Sequence, residues 1–215
     1  SKLFGFEIIS NFRFPYFSRN IGEFWRRWHI SLSTWLRDYM YIPLGGSHMG
    51  KLKSIRNIFI IFLVSGLWHG ANLTFVFWGL FHAVLFLPSF ILNTNRKYIN
   101  STIAENTLLP KPRELLNIML TFFLVTIGWV FFRSPTINDS FFYLRQMFLE
   151  FDIPEFYRFN LIYVIVLLTI DFYLRTDEKN LKIFKNNFFY TELIIIFILL
   201  GFSLNSNVQF IYFKF

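Results

Sequence analysis

The sequence contains no cysteine. That excludes disulfides, thiolate metal sites and a cysteine nucleophile. Charge is also scarce: 16% of the 215 residues are charged, against about 25% in an ordinary soluble domain. No Lys, Arg, Asp or Glu occurs from Asn57 to Asn95. The basic residues form no separate arm, so the formal charge of +8 points to loops facing anionic lipid rather than to nucleic acid. There is no signal-peptide pattern, and a chain that starts at Ser1 reads as part of a longer protein. Internal repeats and low-complexity tracts are absent. Gly45 and Gly50-Lys51 approach a phosphate-binding loop, but Leu52 stands where a magnesium-holding Ser or Thr is required and no strand is expected before it. No G-x-S-x-G elbow surrounds Ser65. No two of the four histidines lie four residues apart, so no metal site is expected.

What remains is apolar and aromatic. Hydrophobic residues make up 54% of the chain, and 32 residues are Phe. A chain this apolar cannot hide its surface as a small globule. Several segments approach the roughly 20 apolar residues that cross a bilayer. The expected fold class is all-α, a polytopic transmembrane bundle with interfacial or re-entrant helices, in one domain over residues 1–215. Spanning helices are expected at 115–132, 159–174 and 193–210, with histidine-containing membrane helices over 57–92. Gly70-Ala71-Asn72 marks a break in the last region that would give a half-helix or a tilted helix, and irregular backbone at membrane depth requires cover from protein or water. Loop charges lean towards cytoplasmic positions for 93–114 and 175–192.

Residues 21–40, IGEFWRRWHISLSTWLRDYM, have helical periodicity with an apolar and a charged side. An amphipathic helix of this kind suits a membrane interface or a cavity wall. On its wheel His29 falls within the apolar arc, about 20° from Leu36 and about 40° from Trp25. It does not sit with the arginines. His69 is the single titratable group in FLVSGLWHGANLTFVFW, residues 62–78. On a continuous helix Ser65, His69 and Asn72 share a face, and Gly66 with Gly70 admits a close neighbour. Polar groups at membrane depth are costly unless partnered, and they usually face an interior or a cavity. Imidazole is also suited to moving protons near neutral pH. His69 is thus either a helix-gluing histidine or a proton-transfer group. A second apolar-face histidine at position 29 favours a shared polar site. His82 lies about 140° round from His69 on a continuous helix and is expected to be structural or to face headgroups. His48 is expected in solvent.

NFRFPYFSRNIGEFWRRWHISLSTWLRDYMYIPLGG (11–46) and GLWHGANLTFVFWGLFHA (66–83) together resemble the membrane-bound O-acyltransferase family. The similar branch is the bacterial one of alginate and peptidoglycan O-acetylation and of D-alanyl transfer to teichoic acid. The resemblance is dense over about residues 11–85 and extends to the ending FIYFKF. Family members are longer, and this chain resembles their C-terminal half.

The resemblance implies a multi-pass enzyme of the bacterial inner (cytoplasmic) membrane. An acyl group, acetyl above all, would pass from a cytoplasmic donor to a hydroxyl of an extracytoplasmic polysaccharide or cell-wall polymer, directly or through a secreted partner. His69 matches the W-H-G motif histidine and His29 the R-W-H-x-S histidine. His69 is then the expected general base or proton relay, with His29 orienting the acceptor or sharing the proton. Arg27, Arg37 and Asp38 are candidates for steering an anionic donor such as acetyl-CoA or another acyl thioester, and equally for a solvated helix face. Trp68 is a candidate pocket wall, and Asn72 a hydrogen-bond partner of His69 or of the carbonyl. No cofactor and no metal are expected. Two other readings stay open on sequence: a proton-coupled transporter or flippase, and a non-catalytic assembly subunit.

Overall fold

The computed structural model describes residues 9–99, 101–105, 107, 109–150 and 160–175. Every element among them is helical. The chain divides into two compact units, Ser1–Ile153 and Pro154–Phe215. The second unit contributes one described helix, Asn160–Leu174, at the position expected for a span at 159–174. The expected span at 193–210 lies outside the described residues.

In the first unit the amphipathic segment is not one helix. It forms α1 (Ile21–Arg27) and α2 (Ile30–Leu36), and α2 runs into a π-helical turn over Arg37–Tyr41. Trp28 between α1 and α2 is extended, and His29 adopts a left-handed conformation with φ 45° and ψ 55°. That conformation costs a non-glycine residue about 1–2 kcal/mol. An irregular strap stabilises the break. The Asn11 carbonyl accepts from the Ile30 N–H at 3.0 Å, the Arg13 N–H donates to the Arg27 carbonyl at 2.9 Å, and the Asn11 side chain accepts from the Ser31 N–H at 3.0 Å. Asn11 therefore satisfies first-turn donors of α2 that the side chain of its own N-cap residue, His29, leaves open. This long-range capping is what a wheel drawn over residues 21–40 could not contain.

Helices α3 (Lys51–His69) and α4 (Leu73–Ile91) form a hairpin. The break expected at Gly70-Ala71-Asn72 is its turn. Gly70 caps α3 at φ 152°, and the Asn72 side chain caps α4 by accepting from the Thr74 N–H at 3.2 Å. At about 1.5 Å per residue, the 19 residues of α4 reach about 28 Å, close to a bilayer's hydrocarbon thickness. The two backbones touch at Gly66 and Gly79. A Cβ on Gly66 would stand 2.3 Å from the Phe75 carbonyl oxygen, and one on Gly79 would stand 2.3 Å from that of Phe62. The close approach thus uses Gly66 with Gly79, one from each helix, while Gly70 serves the turn.

Helix α5 (Pro112–Arg133) packs its Ile118, Thr121, Val125 and Gly128 face inward. Helices α4 and α5 are long and apolar enough to cross a membrane. Helix α6 (Ile137–Leu149) follows, its N-cap Thr136 accepting from the Asp139 N–H. A buried ionic knot ties α1 to the neighbouring segments. Arg19, 6% exposed, and Glu23, 1% exposed, pair at 2.9 Å. Glu23 also takes Arg27 at 2.8 Å, and Arg19 reaches Glu114 at the start of α5 at 2.7 Å. The Arg19 guanidinium further donates to the Ser101 carbonyl at 2.8 Å. The knot fixes α1, and with it the position from which His29 follows.

Candidate active site

His69 ends α3, and its ring is clasped by aromatics. Ring centroids lie 4.9 Å away for Trp68, 5.4 Å for Trp78 and 4.9 Å for Phe132. His29, delivered by the left-handed break, stands edge-to-face against the same Trp68 at 5.7 Å. One indole therefore touches both motif imidazoles. Trp68 is 56% exposed, so this meeting point lies on an accessible face, and both histidines are half-buried. Burial lowers the basicity of His29 below its ordinary value. A neutral imidazole at physiological pH keeps a lone pair free to accept a proton.

The other sequence candidates separate. Arg27 is committed to Glu23 and to the Arg13 carbonyl, which makes it a structural tie rather than an open cationic site. Arg37 is exposed and pairs with Asp38 at 2.7 Å. The Arg37 hydrogen bond draws the Asp38 carboxyl below its usual value. Asn72 does not reach for His69: its amide donates to the Pro135 carbonyl at 2.8 Å while its oxygen caps α4. It is a fold residue that pins the hairpin turn to the end of α5. Ser65, one turn before His69, is buried and lines a cavity.

That cavity, of about 810 Å³, is half open and is lined by α1, α2, α3, the end of α4 and the segment that follows it. Its walls are mainly apolar and aromatic, including Trp25, Phe62 and Phe90. Three arginines line it: Arg26, Arg37 and Arg96. Arg26 donates to the Asn95 carbonyl and keeps its second terminal nitrogen buried without a partner among the described residues. Neither His29 nor His69 is among the lining residues. Sequence reasoning singled out Arg37 but passed over Arg26 and Arg96. Arg26 sits on the charged arc with several others, and only the fold shows which cations share a concavity. His82 takes the structural of its two expected places. It is fully buried, far from any headgroup-facing role, because α4 turns that face into α1 and α5.

Comparison with known proteins agrees with these motifs. The family description "MBOAT, membrane-bound O-acyltransferase family" matches residues 2–125. The chain belongs to the membrane-bound O-acyltransferase family, whose members are integral to membranes. It is 46% identical over 136 residues to a probable alginate O-acetylase of Pseudomonas syringae pv. tomato, a match covering 63% of this chain and 24% of that protein. It is 39% identical over 144 residues to a peptidoglycan O-acetyltransferase of Helicobacter pylori, covering 67% and 26%. A teichoic acid D-alanyltransferase of Bacillus subtilis is 36% identical over 149 residues, covering 64% and 35%. The matched stretch thus spans about a quarter to a third of these relatives' lengths.

Proposed function

We propose that this chain carries the acyl-transfer centre of a multi-pass O-acyltransferase, a polytopic helical bundle in a bacterial cytoplasmic membrane. The enzyme moves an acyl group, acetyl in the first instance, from a cytoplasmic thioester such as acetyl-CoA to a hydroxyl of an extracytoplasmic polysaccharide or cell-wall polymer. The polymer receives it directly or through a secreted acyltransferase partner. The observation that supports this reading above all is the meeting of His29 and His69 on one indole, Trp68.

The chemistry follows from that geometry. The neutral His69 imidazole accepts the proton of the acceptor hydroxyl as its oxygen attacks the thioester carbonyl carbon. A C–O bond forms, the C–S bond breaks, and the departing thiolate takes the proton from the imidazolium. His29 orients the hydroxyl or shares its proton. Trp68 is the wall that holds both rings. The donor is a co-substrate, so the transfer needs no resident cofactor. Its anionic part is drawn by Arg37, together with Arg26 and Arg96 in the same cavity, through Coulomb attraction strengthened by the apolar walls. Asp38 holds Arg37 rather than binding the donor.

The test uses the full-length protein in its own bacterium. His69→Ala should remove polymer-bound ester, acetate or D-alanine, by at least the roughly 10²-fold that general acid–base help supplies, at normal membrane protein level. Ester that persists at the wild-type amount refutes the assignment.

A further inference from the structure

An N-cap side chain ordinarily accepts from the N–H two or three places on, and so is spent on its own helix. At α2 that work is done from elsewhere. The Asn11 side chain accepts from the Ser31 N–H at 3.0 Å, and the Asn11 carbonyl accepts from the Ile30 N–H at 3.0 Å. The N-cap residue itself, His29, makes no side-chain cap, and its imidazole is left to meet Trp68 with ring centroids 5.7 Å apart. A hydrogen bond on the second ring nitrogen commonly sets the orientation of a histidine. That device is missing here: Nδ1 of His29 is buried, and no other described residue partners it.

What holds the ring is the backbone beneath it. His29 is left-handed, and such a conformation persists only where the surroundings over-determine it. Residues 11–13 bracket it on both sides. Ahead of it, the Arg13 N–H donates to the Arg27 carbonyl at 2.9 Å, and the Arg27 guanidinium donates back to the Arg13 carbonyl at 3.2 Å. After it come the two bonds to Asn11. Phe12, between them, packs its ring on Trp28 at 4.8 Å and on His29 at 6.2 Å. The alternative course of the chain is an unbroken helix. There the Ile30 and Ser31 N–H groups would bond the Arg26 and Arg27 carbonyls, and His29 would stand about 40° from Trp25. Trp25 packs on Phe62 and Trp78 at 5.1 and 5.7 Å, so the imidazole would follow that face and miss Trp68. The Asn11 bonds exist only when α2 starts afresh at Ile30. They therefore select the broken course.

We propose that Asn11 is a positioning residue for acyl transfer: by capping α2 in place of His29, it breaks the helix there and turns the imidazole to the indole it shares with His69. Asn11 acts through His29. The inference rests on the acyl-transfer reading above, and the test separates the two.

The experiment uses the full-length protein in its own bacterium. Polymer-bound ester per unit of membrane protein is measured together with the melting temperature of the purified protein. Asn11→Ala should lower ester formation about tenfold, less than the roughly 10² that a misplacement of about 1 Å can cost, because the main-chain carbonyl at position 11 still accepts from Ile30. The melting temperature should move by only a few degrees. Asn11→Asp keeps an acceptor oxygen, caps as well as Asn, and should restore most of the activity. In a His29→Gln background, Asn11→Ala should cost little more, because nothing is left for it to position. Wild-type ester in the Asn11→Ala protein overturns the proposal. So does an Asn11→Asp protein as impaired as Asn11→Ala, or a full tenfold loss repeated in the His29→Gln background, which marks a general structural role. A His29→Gln protein that forms ester at the wild-type rate refutes the part given to His29, and the positioning with it. If His69→Ala retains ester-forming activity, the base assignment fails while the Asn11 series still judges the positioning.

Discussion

Two buried polar regions flank α1, and they are built in opposite ways. The Arg19–Glu23 knot is saturated. Glu23 accepts from the Arg19 backbone and guanidinium and from Arg27, and Arg19 spends its remaining donors on Glu114 and Ser101. The face of α4 that carries Thr74, Trp78 and His82 is unsaturated: none of their side-chain polar atoms has a partner among the described residues. Burial alone does not distinguish them. Partner count does: a completed network adds hydrogen bonds to the packing that holds a fold together, whereas the unpartnered face is held by packing alone. The His29–Trp68–His69 meeting point is a third case, half-buried and reachable.

The largest effect that tests this contrast is on chemistry. His69→Ala should lower the ester-forming rate by at least about 10²-fold while leaving the melting temperature within a few degrees. The saturated knot should respond in the reverse sense. Glu23→Ala leaves two cations facing a hole, and removing one partner from a buried pair costs about 3–5 kcal/mol. The expected result is a large drop in melting temperature and little protein in the membrane. A stable Glu23→Ala protein would erase the distinction between the two regions.

A third prediction concerns pH. In the proposed transfer His29 orients the acceptor hydroxyl or shares its proton as a neutral imidazole, and burial lowers its pKa. Lowering that pKa keeps the ring neutral to more acid conditions. The rate should therefore hold as pH falls past the ordinary histidine value of about 6.5 and decline only below it. A rate profile from pH 5 to 8 with its acid limb at or above 6.5 contradicts this. The smallest effect is expected at Arg37, whose side chain is 61% exposed and hence well screened. Arg37→Gln should raise the donor KM a few-fold, more at low salt, with kcat unchanged.

Much of this was legible in residues. The apolar stretches place α4, α5 and the helix Asn160–Leu174 within a few positions of where they stand, and Gly70-Ala71-Asn72 marks the hairpin turn. His29 and His69 could be paired from motif alone. The wheel that put His29 on an apolar arc assumed a continuous helix, yet the chain breaks there because Asn11, distant in sequence, caps the new first turn. Asn72 was assigned to the site on its spacing from His69, and that spacing lost its meaning once the helix ended at His69. Arg27 was one arginine among several until Glu23 claimed it.

The sequence by itself determined that the chain is helical and membrane-seeking, and which family it belongs to, because composition, period and motif are local properties. Which polar groups meet, which are paired and which are left open was decided by tertiary structure. Hydrogen bonds and ring contacts form between segments whose separation along the chain carries no trace of their separation in space.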